Sequence, residues 1–110
     1  MKSEPVRSII RGMRKDEVIA KLRSNAAAIR AAGATSLYIY GSTARDEARE
    51  DSDVDVFIDY DKSQLFSLLD LIGVKHCIED LLGASADLAT RDSLHPRIKD
   101  RILAEAIRVY

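Results

Sequence analysis

Two short stretches of this 110-residue chain carry residue types at spacings that can do chemistry. Gly41 and Ser42 follow the strand-like run Ser36-Leu37-Tyr38-Ile39-Tyr40, and residues 43–48 after them can form a short helix. A glycine at such a turn lets an anion approach the backbone, and the N–H groups that open the helix point at it. The Ser42 hydroxyl can donate one more hydrogen bond. Asp53 and Asp55 then stand two residues apart in a second strand-like run. Side chains spaced this way point in one direction, with bases roughly 7 Å apart. Two such carboxylates can lean onto one divalent cation or straddle a pair held about 3.5–4 Å apart. Magnesium suits that shell, because it takes one or two carboxylates and fills its remaining positions with water and phosphate oxygens. Together the two stretches predict a site that handles a nucleoside triphosphate.

Each part also has a plainer reading. A bare Asp-x-Asp is more often an exposed strand face, and Ser42 alone reads as a helix N-cap. Arg45 can pair with a phosphate or with Asp46 or Asp51. Asp87 lies between Ala86 and Leu88 in a short strand of small and apolar residues. It is out of place there unless it faces something charged; otherwise it is a strand-end residue in a turn. Beside Asp53 and Asp55 it completes a three-carboxylate cluster. Without cations such a cluster repels itself and raises its own pKa values. With cations, Asp87 becomes a ligand or a general base for an attacking hydroxyl.

The elements that must position these residues follow from periodicity. Asp16 reads as an N-cap, and Val18, Leu22, Ala26 and Ile29 recur at helical spacing, so residues 17–32 predict one amphipathic helix ended by Gly33. Residues 53–60 alternate, with Val54, Val56, Ile58 and Tyr60 on one face and Asp53, Asp55, Phe57 and Asp59 on the other. Asp61 can cap a second long helix lined by Leu65, Leu68, Leu69, Ile72, Ile78, Leu81 and Leu82. Gly83 ends it, and Gly73 is a place where it can break. Residues 84–90 predict a third strand, and Pro96 opens a last helix over 96–107. The order α-β-α-β-α-β-α predicts an α/β (α+β) domain, a small mixed sheet with helices packed on it. Tyr38 and Tyr40 share a strand face and read as packing residues. His76 and Cys77 are adjacent on a helix, so they face different directions and make a poor metal site. His95 reads as a loop residue.

Composition narrows the partners. With 46% apolar and 32% charged residues the chain reads as one globular domain. A net charge of −1 gives no general pull toward nucleic acid or an anionic membrane. No apolar run approaches the ~20 residues of a membrane helix. Residues 1–5 lack the apolar segment of a signal peptide, so the expected compartment is the cytoplasm. The single cysteine, Cys77, excludes an intrachain disulfide. Residues 1–15 carry five Lys or Arg against Glu4 alone and read as a basic arm, with the folded domain over 16–110. Residues 46–61 carry eight Asp or Glu against Arg49 alone, and the Asp-x-Asp lies inside that run.

Gly41-Ser42, ten intervening residues, Asp53-Val54-Asp55 and a later Asp87 resemble the DNA polymerase β-type nucleotidyltransferase superfamily. The stretches Gly41 to Arg45, Ser52 to Asp55, Ser85 to Thr90 and Ile102 to Tyr110 look like the minimal nucleotidyltransferases, called MNT proteins. The resemblance runs from about residue 16 to the end. It implies a polymerase β-like palm fold, with the triphosphate at Gly41 and Ser42 and two Mg²⁺ ions, or Mn²⁺, at Asp53, Asp55 and Asp87. It also implies transfer of a nucleoside monophosphate, AMP from ATP above all, to a protein hydroxyl. The implied acceptor is a tyrosine of a HEPN ribonuclease toxin for which the chain is the antitoxin. The alternative is an antitoxin that neutralises its partner by covering it, with vestigial nucleotide binding. Two positions depart from the family's usual pattern. Asp46 stands where Gly is common, and Glu50 stands where Pro is common.

Overall fold

A computed structural model describes residues 13–110. Most of the basic arm therefore lies outside the described residues. The elements are α1 (Lys15–Ser24), α2 (Ala26–Ala31), β1 (Ser36–Tyr40), α3 (Gly41–Ala44), β2 (Val54–Asp59), α4 (Leu68–Leu82), β3 (Ala86–Thr90), a 3₁₀ turn (Arg91–Ser93), α5 (Pro96–Glu105) and β4 (Ile107–Arg108). The sheet has four strands in the order β3-β2-β1-β4. β1 runs antiparallel to both β2 and β4, while β2 and β3 are parallel and joined through α4. The sheet is therefore mixed and carries helices on both faces, as the sequence predicts.

Each face has its own core. On one, Leu37, Ile39, Val54, Val56, Ile58 and Ala86 pack with Val18 and Leu22 of α1, Ile29 of α2, and Val74, Ile78 and Leu82 of α4. All are buried. On the other, Phe57 is buried with Leu94 and Ile102, and Tyr38, Tyr40, Ala89, Leu103 and Ala106 pack around them. Phe57 shares the strand face of Asp55 and Asp59, yet it is fully buried, because α5 and Leu94 cover its part of the sheet. Tyr38 stacks on it with ring centroids 4.7 Å apart. Arg91 pairs with Asp59 through two bonds of 2.8 and 3.0 Å and lies over the Tyr38 ring.

Several boundaries differ from the periodicity. The first helix is two helices meeting at Asn25. Ser24 Oγ donates to the Ala20 carbonyl at 2.7 Å and Asn25 Nδ2 donates to the Lys21 carbonyl at 2.7 Å. These side chains draw off the carbonyls that a continuous helix would use. Asp16 is inside the first turn of α1, whose N-cap is Arg14. The short helix after β1 is Gly41–Ala44, earlier and shorter than residues 43–48.

Asp61 caps no helix. It holds a local turn by accepting from the Ser63 N–H at 2.9 Å and the Ser63 hydroxyl at 2.6 Å. The cap of α4 is Ser67, in a reciprocal box with Asp70: Ser67 N–H donates to Asp70 Oδ2 at 2.8 Å, and Asp70 N–H donates to Ser67 Oγ at 3.3 Å. The helix runs unbroken through Gly73 and ends at Gly83. Leu65, Leu68 and Leu69 lie outside the core, 96%, 71% and 78% exposed, so the helix buries only its later turns.

The last predicted helix stops at Glu105, and the chain turns into β4. There Ile107 pairs with Ile39 and Arg108 with Tyr38. Beyond it Val109 N–H donates to the Leu37 carbonyl at 2.8 Å, and the Tyr110 hydroxyl donates to the Ala34 carbonyl at 2.9 Å. Ile107 is in helical phase with Ile98, Ile102 and Leu103, which hides a two-residue strand from periodicity.

The capping pattern of α4 has a measurable consequence. Ser67→Ala is expected to lower unfolding free energy by about 1 kcal/mol. Asp61→Ala, at an exposed turn, is expected to stay within about 0.5 kcal/mol of the parent. Urea midpoints of the two variants check this, and equal losses would contradict the assignment of the cap.

Candidate active site

The site forms where β1, β2 and β3 end together. Asp55 is the register partner of Tyr40 on one side and of Asp87 on the other. Residues directly opposite in neighbouring strands share a face. Asp55, Asp87 and Tyr40 therefore stand side by side on the face that α5 covers only farther along, at Phe57. Asp53 lies just before β2 and is exposed, as is Asp87, while Asp55 is half-buried. The like charges act on one another. Burial, then the charges of Asp87 and Asp53, hold the Asp55 carboxyl above the usual carboxylate range, and Arg45 pulls against them. Burial first, then Asp55 and Asp87, push the Tyr40 phenol up to about 12. Tyr40 thus stays protonated and offers a donor beside the two acids.

Gly41 follows Tyr40 with φ +66°, in the left-handed region. A side chain here would be strained, and its Cβ would collide with the Asp55 carboxylate. The turn and the carboxylate thus touch because residue 41 is glycine. The first-turn donors of α3 divide into two groups. Gly41 N–H donates to Glu105 Oε2 at 2.9 Å. Among the described residues, no side chain accepts from the N–H groups of Ser42 and Thr43. The Thr43 hydroxyl is buried with no partner among the described residues.

Arg45 is exposed and makes two ion pairs, with Glu47 at 3.0 Å and with Glu105 at 3.0 Å. It pairs with neither Asp46 nor Asp51, the partners suggested by sequence. Glu105 belongs to the site although sequence reading passed over it. No local pattern marks it, since Glu105 is simply the last residue of a helix that also carries Asp100. Asp46 explains one departure from the family pattern. It has φ +60°, the one non-glycine residue with positive φ among those described. Asp tolerates that conformation better than most residues. Its Oδ1 also accepts from Lys15 N–H at 2.9 Å, satisfying a free donor at the start of α1.

The donor chemistry suits a hard divalent cation, since Asp53, Asp55 and Asp87 offer only carboxylate oxygens. Among the described residues, no group of three His, Cys, Asp or Glu side chains is gathered into a ready-made metal site. Among the described residues, no helix is long and apolar enough to cross a membrane.

The chain is similar to known proteins in sequence and in fold. A protein of Methanocaldococcus jannaschii, named as a candidate protein adenylyltransferase, is 45% identical over 71 residues, 64% of this chain and 74% of that relative. The solved structure of a candidate minimal nucleotidyltransferase superposes with a TM-score of 0.74 at 33% identity, covering 87% of this chain and 96% of that one. A solved complex of a tri-AMPylated Shewanella oneidensis HEPN toxin with MNT antitoxin shares the fold at a TM-score of 0.57 and 11% identity, covering 80% of this chain and 68% of that one. The pattern of the nucleotidyltransferase domain matches residues 17–109, nearly all that the structure describes, and the chain belongs to that family of nucleotidyltransferases.

Proposed function

We propose that this nucleotidyltransferase moves AMP from ATP onto a hydroxyl of a protein partner, and that the partner is a HEPN-type toxin. The observation that carries the transfer reading is the adjacency of Asp55 and Asp87 at an open sheet end, pressed against a turn that only glycine can make. The naming of relatives as protein adenylyltransferases and the solved toxin complex support AMP and the protein acceptor.

Asp53, Asp55 and Asp87 are the residues that would hold one or two Mg²⁺ ions. When bound, such ions neutralise the triphosphate and make an oxygen nucleophile more acidic. The Ser42 hydroxyl and the N–H groups of Ser42 and Thr43 would donate to the β- and γ-phosphates. Arg45 adds a positive charge near Asp55. The acceptor oxygen attacks the α-phosphorus, and its proton passes to the Asp87 carboxylate. The bond from the α-phosphorus to the bridging oxygen breaks, and pyrophosphate leaves. Tyr40, kept protonated by burial and then by its acidic neighbours, can donate to the nucleotide without becoming an anion in the site.

Mass spectrometry of the partner co-expressed with this chain tests the acceptor. An added AMP group on a partner tyrosine is expected. A stable complex with an unmodified partner would instead favour neutralisation by coverage.

Cation dependence is a second test. ATP is expected to bind with Mg²⁺ or Mn²⁺ present and to lose measurable affinity in EDTA, because bare carboxylates repel a triphosphate. Calorimetry under both conditions checks it, and equal affinities would count against the metal role of the three acids.

Ser42→Ala is expected to weaken MgATP binding by about 10- to 150-fold, the loss of one hydrogen bond to a charged group worth roughly 1.5–3 kcal/mol. If Ser42 served only the helix, the same variant would lose about 1 kcal/mol of stability with affinity unchanged.

Asp55→Asn is expected to abolish transfer while raising the stability of the metal-free protein. Asp55 binds its proton more tightly folded than unfolded, so its penalty on the folded state grows as pH rises through the ordinary carboxylate value and is complete above the raised folded one. The gain from Asn should therefore be full at neutral pH and shrink as pH falls through the ordinary carboxylate range. Water screens this half-exposed group, so the gain should be roughly a few tenths of a kcal/mol. Thermal melts from pH 3 to pH 8 in EDTA check both sign and window. A variant that unfolds by several kcal/mol would mark Asp55 as structural.

A further inference from the structure

The Gly41 turn is held from outside its own segment. Glu105 closes α5, 64 residues away in sequence. One of its carboxylate oxygens accepts from Gly41 N–H at 2.9 Å, and the other accepts from Arg45 Nη1 at 3.0 Å. Its side chain is only 25% exposed, against 66% for Glu47, the other partner of Arg45. Glu105 is thus a half-enclosed, bidentate clamp, while Glu47 is a solvated neighbour. We propose that Glu105 is a positioning residue for nucleotide binding, fixing the Gly41 turn and holding Arg45 at the mouth of the site.

Two features separate this role from simple packing. First, Glu105 adds a negative charge to a corner that already holds Asp55 and Asp87. A neutral side chain would tie the turn to α5 without that charge. The charge makes sense where a guanidinium must be held against the pull of solvent and of Glu47. Second, by taking the Gly41 N–H, Glu105 leaves Ser42 and Thr43 as the first-turn N–H groups of α3 that no side chain among the described residues occupies.

The inference rests on the nucleotidyl-transfer reading, and the experiment separates the two. MgATP affinity and melting temperature are measured for the parent chain, Glu105→Gln and Glu105→Ala, with binding read well below each melting point. Glu105→Gln keeps the length of the side chain and one accepting oxygen but loses the charge and the second acceptor. It should bind MgATP on the order of tenfold more weakly while melting within a few degrees of the parent, and Glu105→Ala should bind more weakly still. A purely structural Glu105 would lower the melting temperature and leave the affinity of the folded protein unchanged, which would overturn the proposal while leaving the transfer reading intact. A parent chain that binds no MgATP would overturn both. Should Glu105→Ala fail to fold, Glu105→Gln alone decides.

Discussion

The carboxylate of Asp55 leaves no room for a side chain at residue 41, and much of the molecule is arranged around that contact. The strand pairing of β1 with β2 sets Tyr40 opposite Asp55, so the chain must turn away immediately after Tyr40. A left-handed residue makes that turn, and only glycine fits both the φ of +66° and the space. The turn starts α3 directly beside Asp55, whose other register partner is Asp87. Closeness of the Gly41 turn and the acids is therefore one constraint, imposed by register, and not two features that happen to adjoin.

Charge is the cost of that arrangement. Burial, then Asp87 and Asp53, hold the Asp55 carboxyl up, and burial, then Asp55 and Asp87, raise the Tyr40 phenol. Arg45 offsets part of this but is itself divided between Glu47 and Glu105. The cluster is tolerated because the stabilising work is done elsewhere. The face beneath α1, α2 and α4 is closed and apolar. On the other face, α5 and Leu94 seal Phe57. A local violation of good packing in one corner, with consistency elsewhere, is the pattern expected of a functional site.

The sequence made the core of this arrangement legible for a physical reason. Strand alternation is strict, so Asp53-Val54-Asp55 had to put its acids opposite the buried valines, and Asp87 was conspicuous among small and apolar neighbours. Glycine spacing likewise marked the turn at 41 and the end of α4 at 83. What escaped was set by contacts distant in sequence or by competition between local signals. Asp61 and Ser67 are both good caps. The reciprocal bonds between Ser67 and Asp70 decide between them, and Asp61 is consumed by Ser63. Leu65, Leu68 and Leu69 fit the helical ladder but precede the turns of α4 that reach the sheet. β4 is two residues long and is defined by pairing with Tyr38 and Ile39, which no local pattern encodes.

Glu105 shows most clearly where local reading ends. Its neighbours place it in a helix, and its role comes from the end of that helix being brought against α3. That placement depends in turn on β4. Because the chain leaves α5 at Ala106 and immediately pairs Ile107 with Ile39, the last residue of α5 is drawn to the edge of β1, one strand from Asp55. Were the helix to continue through residue 107, as its apolar spacing suggests, β4 could not begin in that register. Glu105 would then lose its fixed position beside Gly41 and Arg45. The short C-terminal strand, invisible to periodicity, therefore does more than close the sheet. It anchors the helix that holds Glu105 against the turn, so the geometry of the acidic corner is fixed from both edges of β1: by Tyr40 through register with Asp55, and by Tyr38 and Ile39 through register with the strand that follows Glu105.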